Sequence, residues 1–118
     1  MGEAVVTSVL KSRLMIRHIV MFSCKDQADK EAIYRGLSVL TRIPDAAHLE
    51  VCYNEKIDQL ANDIDVIVYG EFASVEALRA YKAHPLYAES IRQVRHLRDI
   101  RVAGDYDIAH ATTEHVTA

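Results

Sequence analysis

Four glycines in 118 residues leave little material for a phosphate cradle, and neither the glycine-rich nucleotide patterns nor a G-x-S-x-G nucleophile turn occurs. The two cysteines, Cys24 and Cys52, stand too far apart for metal-ligand spacing. They read as reduced thiols serving as small apolar residues. Histidines at 18, 48, 84, 96, 110 and 115 include no i, i+4 pair, so no metal site is expected. No apolar run reaches the length of a membrane span. The opening MGEAVVTSVLKSRL lacks the basic head and long apolar stretch of a signal peptide. It also misses the myristoylation pattern, because Val6 stands where a hydroxyl residue is required. A cytoplasmic protein without a membrane partner is the expectation. Positive charge is lacking as well: the net charge of −3 argues against a nucleic-acid partner. The one basic run, Arg92, Arg95, Arg98 and Arg101, recurs every third residue among Asp99, Asp105 and Asp107. It reads as a solvated helix face running into a strand rather than a phosphate track.

What is present suffices for one domain with a core of its own. MIRHIVMFS, residues 15–23, alternates Ile16, His18, Val20 and Phe22 against Arg17, Ile19, Met21 and Ser23, both largely apolar sets. That suits a strand covered on both faces. A helix follows, with Asp26 as N-cap, Ala28, Ile33, Leu37 and Leu40 on its apolar face, and Pro44 closing it. AHLEVCYNEK (47–56) alternates as a half-exposed strand, and DVIVYGEFA (65–73) is a β-rich run. Ser74 starts a short helix that packs Val75, Leu78 and Tyr81. Pro85 suits the first position of the next helix, which makes His84 its N-cap. That helix carries Leu86, Ser90, Val94 and Leu97, and RDIRVAGDYDI (98–108) reads as a last strand.

The order strand, helix, strand, strand, helix pair, strand contains two βαβ-like halves. It predicts an α+β, ferredoxin-like, four-stranded antiparallel sheet with helices on one face only. Residues 1–14 read as an N-terminal extension, 15–108 as the domain and 109–118 as a loose C-terminal tail. The second sheet face, with Arg17, Ile19, Met21, Ile67 and Tyr69, would be an apolar patch too large for a monomer. A homodimer, sheet against sheet, closes a dimeric α/β barrel around a two-fold axis.

MIRHIVMFS, FASVEALRAYKAHPLY and VAGDYD together resemble the stress-responsive dimeric A/B barrel (Dabb) family over about residues 15–107. The resemblance implies the same dimeric barrel. Its members include plant stress proteins, polyketide cyclases and proteins without a known role. The cyclases use a histidine matching His18 and a tyrosine matching Tyr81. They also carry a second histidine as base where this chain has Tyr87. A phenol with a pKa near ~10 is a weak base at neutral pH, so this departure argues against cyclase chemistry of that type.

On its own chemistry, His18 reads either as a core histidine with a satisfied ring or as a general acid or base. Tyr81 reads either as a core residue with a backbone-bonded hydroxyl or as a donor to a developing enolate or phenolate oxygen. These two are the expected catalytic pair. Val20, Ile33, Leu37, Val68, His84 and Tyr87 are the expected substrate-binding positions, although helix capping alone accounts for His84. No cofactor is expected. The reading is a pocket for a small organic ligand, with cyclase- or isomerase-like action on a carbonyl or phenolic compound. The alternative is a non-catalytic homodimeric stress or accessory protein.

Overall fold

The computed structural model describes residues 15–60 and 62–114. The proposed extension 1–14 and the end of the tail, with His115, lie outside the described residues. Strand β1 spans Ile16–Cys24, and a 3-10 turn (Gln27–Asp29) leads into helix α1, Lys30–Ser38. A second 3-10 turn (Val39–Arg42) precedes β2, His48–Tyr53, and β3, Val66–Phe72. Helices α2 (Val75–Ala83) and α3 (Pro85–Val94) follow, then β4, Arg98–Asp107. The strands lie in the order β2-β3-β1-β4, every neighbour antiparallel. This is the ferredoxin-like sheet.

Three predicted caps form. The Asp26 carboxylate accepts from the Ala28 amide at 2.9 Å, Ser74 Oγ from the Ala77 amide at 3.1 Å, and His84 Nδ1 from the Leu86 amide at 3.1 Å. Asp26 caps the 3-10 turn rather than α1 itself, which leaves Ala28 exposed instead of in the core. Val75 also stays outside the core that Leu78 and Tyr81 join. β1 alternates as read, with Ile16, His18, Val20 and Phe22 buried against the helices. Ser23 departs from that pattern. The β1–β4 register shifts between Phe22 and Cys24, and the resulting bulge buries Ser23, whose Oγ accepts from the Ile100 amide at 2.9 Å.

The core lies between one sheet face and the helices: Val20 and Phe22 from β1, Val66, Val68 and Phe72 from β3, Ile33 and Leu37 from α1, and Tyr81 and Val94 from α2 and α3. α1 and α3 approach closely at Gly36. A β-carbon there would come within 2.7 Å of Val94 Cγ2 and 3.1 Å of Gln93 Cβ. Beside it the Ser90 hydroxyl donates to the Gly36 carbonyl at 2.9 Å. Gly36→Ala is therefore expected to destabilise by about 1–3 kcal/mol, the usual cost of overpacking. Chemical denaturation checks it, and an unchanged midpoint would mean the helices move apart freely.

The other sheet face carries Arg17, Ile19 and Met21 beside Ile67, Tyr69 and Glu71, with Val102 and Tyr106 on β4. No element of the described chain covers it. Val102 is 51% exposed, and Ile19, Met21 and Ile67 are half-buried.

Candidate functional site

His18 sits mid-strand in β1, on the helix-facing side, and is 1% exposed. Antiparallel pairing sets it opposite Gly70 on β3 and Asp105 on β4. The absent side chain at Gly70 leaves room for the Phe72 ring, which would contact an added β-carbon there at 2.8 Å. Phe72 and Tyr81 each meet the imidazole edge-on, with ring centroids 6.2 and 6.3 Å away. On the β4 side, His18 Nδ1 hydrogen-bonds the Asp105 carboxylate, whose own side chain is 43% exposed. Burial is the larger influence on the ring and holds its pKa below the usual histidine value, while Asp105 pulls the other way. The neutral ring then donates Nδ1–H to Asp105 and keeps the Nε2 lone pair for a ligand.

The ring lines a cavity of about 30 Å³, room for one or two water molecules. Counted out into solvent, the depression above it encloses about 380 Å³. Its wall includes Val20, Leu37, Val68, Tyr81 and Tyr87. The Tyr81 side chain is 1% exposed, and among the described residues its hydroxyl has no hydrogen-bond partner. Burial, then the neighbouring Tyr87, raises its pKa, so it stays protonated and can donate. The Tyr87 ring stands edge-on to Tyr81 at 5.3 Å.

Six of the eight expected positions thus share one cavity: His18, Val20, Leu37, Val68, Tyr81 and Tyr87. The other two lie elsewhere. Ile33 is wholly buried in the core behind the wall, and the His84 ring is engaged as the α3 cap, so neither lines the cavity. Sequence reading missed Asp105, Ser90, Arg98 and Arg101. Asp105 was obscured because only the β1–β4 register sets it opposite His18. Arg98 and Arg101 correct the reading of the basic run. Arg92 and Arg95 are exposed, and Arg92 pairs with Glu89, but Arg98 and Arg101 line the cavity from β4.

The sequence profile of the stress responsive A/B barrel domain matches residues 16–108, nearly all of the described chain. The chain belongs to this family. A Dabb protein of Mesorhizobium loti with a ferredoxin-like fold is 26% identical, with a TM-score of 0.64 over 78% of this chain and 94% of its own. A dimeric ferredoxin-like protein of Thermobifida fusca, of unknown function, is 25% identical, with a TM-score of 0.68 over 81% of this chain and 93% of its own. An Arabidopsis thaliana protein shares the fold at 23% identity and a TM-score of 0.67, over 86% of this chain and 99% of its own. No curated protein matches the sequence.

Neither cysteine of this A/B barrel chain lines the cavity. Cys24 and Cys52 are free, and the Cys24 thiol is pushed up to about 11 by burial and by Asp65, which makes it a poor nucleophile. Among the described residues no cluster of three or more His, Cys, Asp or Glu could hold a metal ion. Among them, too, no helix is long and apolar enough to cross a membrane.

Proposed function

We propose that the chain forms a homodimer whose subunits each bind a small carbonyl or phenolic compound beside His18 and move a proton on it. One observation carries the reading: the buried His18 ring, held by Asp105, and the Tyr81 hydroxyl, which has no partner among the described residues, line one cavity. His18 Nε2 takes a proton from carbon next to the carbonyl. Tyr81 donates a hydrogen bond to the enolate oxygen that develops. The proton then returns to another atom, which is isomerisation, or the enolate carbon attacks a second carbonyl of the same molecule, whose π bond opens to an alkoxide that takes the proton back from His18, which closes a ring. Asp105 acts as the orienting partner that holds the tautomer. With tyrosine at 87, His18 is the imidazole in this wall.

The cavity's small size favours the rival reading of a non-catalytic homodimer, since a ligand must displace the side chains at its mouth. Both readings share the assembly. The exposed apolar sheet face and the dimeric relative of Thermobifida fusca support it.

Solvent deuterium exchange next to the carbonyl of a phenyl ketone, followed by NMR, separates the two. Wild-type protein is expected to accelerate exchange, and His18→Gln to lose about 10²–10⁴-fold with its fold retained. Because the neutral ring is the base and its pKa lies below the usual value near 6.5, the rate should rise with pH through that lowered value and stay flat above it. Asp105→Asn should lower the His18 pKa further. No acceleration by the wild type would leave the non-catalytic reading.

A further inference from the structure

Arg98 and Arg101 line the cavity from β4, and neither forms an ion pair or a side-chain hydrogen bond among the described residues. Arg101 faces the helices, opposite Phe22, so it lies on the side of the sheet away from the apolar face. Arg98 is half-buried, while Arg101 is exposed at the solvent side. Their positive charges repel each other, and Arg95 adds to the strain on Arg98. Lys82 and Arg101 also disfavour a proton on His18, which keeps the ring neutral. The nearby carboxylate, Asp105, is already taken by the imidazole. A chain of net charge −3 therefore concentrates unpaired cations at the mouth of the cavity that holds its buried base.

A guanidinium left half-desolvated beside like charges is stabilised by an arriving anion. A planar fork of donors matches a carboxylate in particular. We propose that the ligand of this cavity is a compact carboxylate bearing a carbonyl group, its acid held by Arg98 and Arg101 and its carbonyl directed inward to Tyr81. This rests on the reading of the cavity as a ligand site. The arginines also have a chemical consequence. They offset the second negative charge that an already anionic substrate carries as it becomes an enolate.

The test compares 4-oxopentanoate with its methyl ester, which keeps the ketone and loses the charge. Binding to isotopically labelled wild-type protein is followed by NMR titration at low salt. The acid is expected to bind at least about tenfold more tightly than the ester, which is the order of one charge-assisted contact. Arg101→Gln, at an exposed position that leaves folding intact, should reduce that preference. Arg98→Gln with Arg101→Gln should bring it close to one by weakening the acid alone. Equal binding of acid and ester in the wild type, or a preference that survives both substitutions, overturns the carboxylate assignment and leaves the cavity as a ligand site. Binding of neither overturns both.

Discussion

Met21→Glu is expected to turn the proposed homodimer into a monomer. Met21 lies at the middle of the open sheet face, paired with Ile67 on one side and Val102 on the other. Ile19 and Tyr69 extend the same surface. A second copy would remove this face from water, so a carboxylate at 21 would be buried without a partner. An uncompensated buried charge costs roughly 3–5 kcal/mol, and two-fold symmetry places it in the interface twice. In the separated subunit the same glutamate stays half-exposed, so the fold itself should survive. Sedimentation velocity at low micromolar concentration should give twice the chain mass for the wild type and a single chain mass for the variant. A wild type that sediments as a monomer would remove the barrel assembly.

Asp65→Ala is expected to cost about 3 kcal/mol of stability, on the scale of hydrogen bonds to a charged group. The Asp65 side chain is 1% exposed, yet it joins three segments. Its carboxylate accepts from the Cys24 amide at 2.9 Å and from Gln27 Nε2 at 3.2 Å, and pairs with Lys56 Nζ at 2.9 Å. Lys56 has a left-handed backbone, φ 54°, which costs energy in a residue with a side chain and is held partly by this pair. Burial alone would raise the Asp65 pKa, but the Cys24 amide, Lys56 and Gln27 outweigh it and bring the group down from 3.8 to about 2. The folded value is depressed, so the stabilisation is present above about pH 4 and is lost as pH falls toward 2. The difference is worth about 2 kcal/mol. Asp65→Asn should abolish that part of the acid dependence while keeping the side chain's shape. Denaturation midpoints measured from pH 5 to 2 check it. Parallel profiles for the wild type and Asp65→Asn would show that the carboxylate is not linked to folding.

Local chemistry made most of the architecture legible in the sequence. The alternation in β1, the serine and histidine caps, and Pro85 at the start of α3 are decided by neighbours a few residues away. The element order and the ferredoxin-like sheet follow from them. The part of the cavity wall that lies on β1 and α2 was legible in the same way, because His18 and Tyr81 are apolar-face residues with polar tips. The 3-10 turn that exposes Ala28 and the bulge that buries Ser23 were not. Each depends on how one element meets another across a register the sequence does not state.

The same reason separates what composition and pattern determined from what tertiary structure decided. The chain alone determined an α+β, ferredoxin-like order of elements with one sheet face left apolar, since period and charge belong to each segment separately. Only the antiparallel pairing of β1 with β4 could place Asp105 opposite His18 and turn Arg98 and Arg101 from a solvated run into the wall of a cavity. Residues as far apart as His18 and Asp105, 87 positions, carry no local signal of their mutual register. A shift by a single residue would send Asp105 to the opposite face and leave the imidazole without its carboxylate.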